Sequence, residues 1–278
     1  MATSGQNIQF FCSKCRTMLK EAASPDRPRN ICEECPACGS QLSETLQVQP
    51  KKQSDRPRAP FQTAYEINAC LGFGIKEIDT FLALRLGDRL CVMGSHANLL
   101  ISRLCVRAFM PIKHGGLGAG SIVFADAGNS SDVYQCVDFA RQFGLKIDRV
   151  LRGVAVSRAF TIHQLAGLIV YELPTAMRQF NSRIVVISDL LRMFIEDPQV
   201  SQKEARYLIA EIMESVHKMD GALLVMSICD SSPYDSQILP SFAKRVEMKE
   251  QLIVHNGRKS KSFPMPEKEL YLAGEQHG

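Results

Sequence analysis

The sequence contains no apolar run that is long enough to cross a membrane. Its longest runs, such as residues 184–187 and 222–226, are much shorter than the ~20 residues that a membrane-spanning helix needs. The first residues, MATSGQNIQFF, lack the basic stretch followed by an apolar stretch that marks a secretory signal. These absences predict a soluble protein of the cytoplasm, where thiols stay reduced.

Extremes of composition are also missing. With 45% hydrophobic and 22% charged residues, the chain has neither a disordered nor a fibrous composition. Its 278 residues suffice for one core of about 200 residues and a small appendage. The net charge of +4 permits contact with nucleic acid. A solvated surface accounts for that charge equally well.

The ten cysteines form two groups. Five are spread singly through apolar segments, which predicts buried, reduced thiols without a function: Cys70, Cys91, Cys105, Cys136 and Cys229. The other five lie within residues 12–38.

Within that second group, CSKC at 12–15 and CPAC at 35–38 are separated by nineteen residues. Two such turns can aim four thiolates at one tetrahedral ion. The pattern predicts a structural zinc ion, bound by Cys12, Cys15, Cys35 and Cys38, that stabilises a domain at residues 1–45. A disulfide-bonded module is the alternative.

Cys32 adds an ambiguity, because it forms another C-x-x-C pair with Cys35. Pro36 and Gly39 suit the turn of a zinc ribbon, which the segment resembles, and they favour Cys35 paired with Cys38. Fold analogy alone does not select a partner for such a ribbon.

A basic linker is predicted after this domain, within residues 46–66. Residues 47–60, QVQPKKQSDRPRAP, lack hydrophobic periodicity and are rich in proline, which favours an extended, flexible chain. Its cations are either contacts to nucleic-acid phosphates or part of a solvated linker: Lys51, Lys52, Arg56 and Arg58.

Residues 90–104, LCVMGSHANLLISRL, predict a buried strand, a turn and a helix. The phosphate-loop pattern G-x-x-x-x-G-K-[ST] fits residues 94–101 without a gap, but it matches only at Gly94. Leu99, Leu100 and Ile101 replace the second glycine, the lysine and the Mg²⁺-binding hydroxyl. The segment therefore has the frame of a nucleotide site without its chemistry.

The segments GFGIKEIDTFL at 72–82, VLRGVAVSRAF at 150–160 and RIVVISDLL at 183–191 resemble the RecA/RadA recombinase family, and the resemblance extends from Gly72 to about Leu272. The resemblance implies a strand at 149–159. The residue pattern predicts a buried strand at 122–125 and helices at 132–143 and 161–173. The resemblance, with alternating strands and helices, implies an α/β fold for residues 67–278. We expect a RecA-like core, a mostly parallel sheet with helices on both faces.

The segment from Phe61 to Ala64 resembles the Phe-x-x-Ala motif of that family. There it adds a strand to the sheet of the next protomer and places its Phe in a pocket. The resemblance implies self-association or docking on a RadA-type recombinase. A strand on the protein's own core is the alternative.

Other parts of the family's ATP machinery also depart from its pattern. Ala127 stands where the family has the Glu that primes water, and Cys229 where it has a Gln that reads the γ-phosphate. Ser188 takes the position of the Mg²⁺-binding acid, and Asp189 follows it. On a regular strand Asp189 points to the opposite face. We expect that ATP and Mg²⁺ are not cofactors and that the protein is not an enzyme.

The segments corresponding to the family's two DNA-binding loops, residues 196–201 and 230–237, contain Asp but neither Lys nor Arg. DNA binding there is electrostatically disfavoured. The best basic cluster of the core is Arg258, Lys259 and Lys261, after the hairpin signal Asn256-Gly257. It is either a solvated tip or a nucleic-acid contact.

Taken together, these features predict a divergent RecA/RadA paralogue with a zinc ribbon. We expect a non-catalytic accessory or regulatory protein of DNA recombination and repair, which binds protein partners and DNA. One alternative is a DNA-dependent ATPase with an atypical phosphate loop, and another is a structural scaffold unrelated to DNA.

Overall fold

A computed structural model describes residues 9–11, 18–20, 69–129, 131–229, 231–266 and 270. The chain divides into two units, Met1–Pro60 and Phe61–Gly278. In the first unit, β1 (Gln9–Phe11) pairs antiparallel with β2 (Met18–Lys20). The predicted zinc ligands Cys12, Cys15, Cys35 and Cys38 lie outside the described residues.

The second unit contains an eight-stranded sheet. Its strands are β3 (Arg89–Gly94), β4 (Ile122–Asp126), β5 (Val154–Arg158), β6 (Ile184–Ser188), β7 (Leu223–Ile228), β8 (Lys244–Met248), β9 (Leu252–Asn256) and β10 (Lys259–Phe263). Their spatial order is β10-β9-β8-β3-β7-β6-β4-β5. The strands from β8 to β5 in this order are parallel, whereas β9 and β10 are antiparallel additions.

Nine α-helices are described in this unit. They are α1 (Lys76–Phe81), α2 (Ala97–Ala108), α3 (Val133–Gln142), α4 (Ile147–Gly153), α5 (Ile162–Gly167), α6 (Leu173–Gln179), α7 (Arg192–Glu196), α8 (Gln202–His217) and α9 (Asp235–Ile238). A π-helical turn, Leu168–Glu172, joins α5 to α6, and short 3-10 turns cover Ile112–His114 and Leu239–Ser241.

Three of the longer helical segments begin at a residue whose side chain accepts a backbone N–H. Asp132 caps α3, Thr161 caps α5 and Ser201 caps α8. Such caps satisfy a donor that the first helical turn leaves open. Local sequence therefore accounts for where these helices start.

Helices cover both faces of the sheet. One buried cluster contains Val92, Val186 and Val225 with residues of α1 to α4, and the other contains Cys91 and Val185 with residues of α5 to α9. Successive strand residues thus serve opposite clusters, as strand geometry requires. The predicted α/β fold, a mostly parallel sheet with helices on both faces, is confirmed. Among the described helices, none is long and apolar enough to cross a membrane.

Two sequence-based element boundaries were wrong. Residues 149–153, expected to begin a strand, are the end of α4, where Asp148 and Arg152 form an i,i+4 ion pair of 2.8 Å. The helix expected at 161–173 continues to Gln179. A π-helical turn at Leu168–Glu172 joins α5 to α6, and Pro174 lies in the first turn of α6, where a proline is tolerated.

Candidate functional site

The candidate site lies where the parallel strands β3, β4, β6 and β7 end. In an open α/β sheet, ligands bind at the carboxyl ends of such strands. Gly94, Ala127, Ser188, Asp189 and Cys229 all lie at or directly after these ends. The structure therefore brings the predicted nucleotide-site positions to one edge of the sheet.

The connection from β3 to α2 is too short for a phosphate loop. Only Ser95 and His96 separate the strand from the helix, which begins at Ala97. In the phosphate-loop pattern, the whole stretch before the second glycine is loop. Here Leu100 and Ile101 are helical and 0% and 1% exposed, so they belong to the hydrophobic core.

Gly94, the single residue that matches the pattern, has a packing role. Its φ is 105°, and it lies beside Met248 in the register of β3 with β8. A Cβ at this position would collide with the backbone carbonyl of Met248. Glycine is thus required by the approach of two strands, independently of any phosphate.

A hydrogen-bonded cluster of Asn98, Asp189 and Ser227 joins three elements at this edge. The Asn98 side-chain amide donates to Asp189 Oδ2 at 2.9 Å, and the Ser227 hydroxyl donates to Asn98 Oδ1 at 3.2 Å. The Asp189 backbone N–H donates to Ser227 Oγ at 2.8 Å. We call these three residues the Asn98 cluster.

Asp189 does not follow the strand alternation expected from the sequence. It comes after the last residue of β6 and has a left-handed backbone, with φ 48°. Its carboxylate therefore reaches the first turn of α2. Gly128 lies against it, since a Cβ there would collide with Asp189 Cβ. The acid is present at the site edge but bonds to protein groups.

A second cluster surrounds the buried carboxylate of Asp126, which is 0% exposed. Ser188, the residue at the Mg²⁺-acid position, donates its hydroxyl to Asp126 Oδ1 at 3.0 Å. Ser131 donates its hydroxyl and its backbone N–H to Asp126 Oδ2 at 2.5 and 3.2 Å. The Arg158 guanidinium completes the cluster at 3.1 Å. This acid stabilises the turn after β4 and is not presented to solvent.

Residues 93–222, from the end of β3 to the residue before β7, match the family model of Rad51. The core is RecA/Rad51-like. The match supports a role in DNA recombination and repair. A comparison with curated proteins found no match.

Arg103 and Lys113 are cations near in sequence that are candidates to replace the missing phosphate-loop lysine. In the Rad51-like core Arg103 Nε donates to the Phe73 carbonyl at 2.6 Å, and its Nη2 donates to the Gly74 carbonyl at 3.3 Å. The other candidate, Lys113, follows the carboxyl end of α2, away from the candidate site. Neither side chain is placed to bind a phosphate next to Gly94.

Arg107 and Asp79 form hydrogen bonds to the backbone of residues 72–74, the same turn that Arg103 contacts. Arg107 Nε donates to the Gly72 carbonyl at 2.5 Å, while the Asp79 carboxylate accepts the N–H groups of Phe73 and Gly74 at 2.6 and 2.8 Å. Burial raises the pKa of Asp79 and lowers the pKa of Arg107. These charges fix the start of the core, and they do not form a ligand site.

The scattered cysteines are buried to different degrees. Cys91 and Cys105 are buried, whereas Cys70, Cys136 and Cys229 are half-buried. Burial raises the pKa of Cys91 to about 12 and that of Cys136 to about 11. Thiols with such pKa values remain protonated at neutral pH and are poor nucleophiles.

The two segments at the family's DNA-loop positions keep their acidic character. Glu196 ends α7 and accepts a hydrogen bond from Arg192 at 3.0 Å, and Asp235 begins α9. Asp230 lies outside the described residues. Within the described residues, the structure therefore brings no unpaired Lys or Arg to either segment that could bind DNA.

The basic hairpin lies at the other end of the sheet. Asn256 pairs with Lys244, the first residue of β8, and β8 runs parallel to β3. Arg258 and Lys259 are thus near the amino ends of the parallel strands, whereas Lys261 is in register with the middle of β8. They do not contribute to the candidate nucleotide edge.

The remaining predicted residues lie outside the described part of the chain. They are the motif residues Phe61 and Ala64 and the linker cations Lys51, Lys52, Arg56 and Arg58. Sequence reasoning missed Asn98 and Ser227. The local sequence shows only that each is a polar residue within an apolar helix or strand, and this does not predict which residue it bonds to.

Proposed function

We propose that this RecA/Rad51-like protein acts without ATP, as a non-catalytic accessory or regulatory protein in DNA recombination and repair. The observation that carries the proposal is the Asn98 cluster. It occupies, with mutually bonded protein groups, the junction of α2, β6 and β7 where a nucleotide-binding relative would need free ligands for phosphate and Mg²⁺.

Magnitudes support the loss of nucleotide binding. Micromolar affinity requires about 8 kcal/mol, whereas a helix N-terminus attracts an anion by about 0.3 to 1 kcal/mol. The two-residue turn after β3 leaves no loop to add backbone N–H donors, and Leu100 and Ile101 are in the core. Ala127 offers no carboxylate to activate water.

Protein partners are the proposed targets. Phe61 and Ala64 would add a strand to the sheet of a recombinase or of a second copy. In the described sheet β5 is a terminal strand, with Val156 47% exposed and Phe160, just beyond the strand, 74% exposed. The unpaired edge of such a terminal strand can accept a strand from a partner protein. The zinc ribbon would be a further binding module.

Calorimetric titration with ATP and Mg²⁺, together with a phosphate-release assay, tests the proposal. We expect neither micromolar binding nor turnover, with or without DNA. Micromolar binding that Asn98→Ala or Gly94→Ala abolishes, in a variant that still melts cooperatively, would instead establish an ATPase with an atypical phosphate loop.

A further inference from the structure

The hairpin of β9 and β10 is a rigid, exposed edge of the sheet. Asn256 pairs with Lys259, so the turn contains only Gly257, with φ 64°, and Arg258. The Gly257 N–H donates to the Ala243 carbonyl at 2.8 Å, and the Asn256 amide donates to the Phe81 carbonyl at 2.9 Å. Two anchors therefore hold the tip against the core.

Three cations are concentrated on this edge. Arg258, Lys259 and Lys261 are all exposed, and within the described ranges no carboxylate lies at ion-pair distance from them. Lys244, which lies in register two strands away, is neutralised by Asp88 at 2.6 Å. The inner Lys244 is thus neutralised by an ion pair, whereas the three edge cations can bind an external anion.

The cations are also ordered along the strand. Lys259 and Lys261 are two residues apart on β10 and point to the same face, which separates their backbone positions by about 6.7 Å. The Lys261 ammonium lies 5.0 Å from the centre of the Phe263 ring, which is half-buried. An apolar support under a charged head keeps that head at the surface.

We propose that this edge, defined by Arg258, Lys259 and Lys261, binds the phosphate backbone of DNA without reading its sequence. The inference rests on the proposed function, since it names the surface by which the protein would contact DNA. Lys and Arg side chains are the main donors to phosphates, and such contacts position a protein without base recognition. The segments at the family's DNA-loop positions, residues 196–201 and 230–237, contain acidic residues and no Lys or Arg, so they are poor alternative sites for DNA.

The alternative role of the cations is to keep the exposed strand from pairing with another sheet. Lysines on edge strands often have that effect. Under that role, removal of the charges would cause self-association and leave DNA affinity unchanged. The two roles therefore predict different results: removal of the charges weakens DNA binding if they contact phosphates and leaves it unchanged if they only protect the strand edge.

The test compares two charge variants of the full chain by fluorescence anisotropy with a labelled oligothymidylate over a range of salt. The hairpin variant carries Arg258→Gln, Lys259→Gln and Lys261→Gln. The control variant carries Lys146→Gln, Arg149→Gln and Lys203→Gln, which are exposed positions at the start of α4, within α4 and within α8. Each removes three cations, which lowers the formal net charge from +4 to +1. Both must retain the wild-type melting temperature.

We expect the hairpin variant to lose the three phosphate contacts. The slope of log affinity against log salt should become shallower by about 2, and a fourfold rise in salt should weaken the wild type about 20-fold more than this variant. The control variant should keep the wild-type slope. Equal losses in both variants, an unchanged hairpin variant, or no DNA binding by the wild type at low salt would each overturn the inference.

The same preparations separate this inference from the proposed function. ATP binding by the wild type would overturn the non-catalytic role and leave the comparison of slopes intact. Absence of ATP binding with an unchanged hairpin slope would overturn only the DNA surface.

Discussion

Asn98 and Asp189 are joined by a hydrogen bond of 2.9 Å between the Asn98 amide and Asp189 Oδ2, although they are 91 positions apart. The bond ties the first turn of α2 to the residue after β6. In open α/β sheets, ligands bind outside the carboxyl ends of the strands, and helix N-termini bind anions. Here the protein itself supplies both the donor and the acceptor at that junction.

Asn98→Ala should lower the free energy of unfolding by about 1 to 3 kcal/mol, because it leaves the Asp189 carboxylate and the Ser227 hydroxyl without their common partner. Urea denaturation measures the change. Lys203→Ala, at an exposed position of α8, is the control and should change stability by less than about 0.5 kcal/mol. Equal stability of the two variants would contradict a structural role for the Asn98 cluster.

Gly94→Ala should destabilise the fold more than Gly144→Ala does. Both glycines have positive φ, 105° and 64°, but only Gly94 has a backbone carbonyl in the space of a Cβ. The conformational cost of alanine at Gly144 is about 1 to 2 kcal/mol, and at Gly94 the collision adds to a similar cost. Thermal melts of both variants measure the difference, and similar melting temperatures would exclude the collision as the reason for Gly94.

The zinc prediction concerns residues outside the described ranges. Metal analysis of the purified chain should give one zinc per molecule, and a variant with both Cys35→Ser and Cys38→Ser should lose it, since a closed site needs all four thiolates. Cys32→Ser should retain the metal. Full zinc content in the double variant would show that the ligand set is wrong.

Phe61→Glu should weaken self-association or recombinase binding without unfolding the core. Burial of one Phe is worth about 1.5 to 3 kcal/mol, which is about one to two orders of magnitude in affinity. Gln62→Glu adds the same charge to the opposite side of an extended segment and should have a smaller effect. Sedimentation and calorimetry measure assembly and binding. Loss of the cooperative melt in Phe61→Glu would place Phe61 in the protein's own core.

Most elements of the core could be predicted from local patterns. The buried runs that became β4, β6 and β7 are strands, and the amphipathic stretch after Asp132 is helix α3 with Asp132 as its cap. The hairpin signal at Gly257 is also confirmed. The strand expected at 149–159 from the family resemblance begins only at Val154, because residues 149–153 form the end of α4.

The sequence by itself determined which chemical groups are available at the candidate site. Leu99, Leu100, Ile101 and Ala127 have no side chain that can bind phosphate or activate water in any fold, because the identity of a side chain does not depend on its surroundings. Likewise, residues 196–201 and 230–237 contain acidic residues and no Lys or Arg, whatever the fold.

Only the tertiary structure decided which of the remaining groups meet. Ser227 and Asn98 are 129 positions apart, and they contact each other because β3, β6 and β7 end at one edge of the sheet. The left-handed backbone of Asp189 redirects its carboxylate, and the packing of β3 on β8 accounts for Gly94. Strand order and single backbone angles are set by the packing of the whole core, and local residue patterns do not contain them.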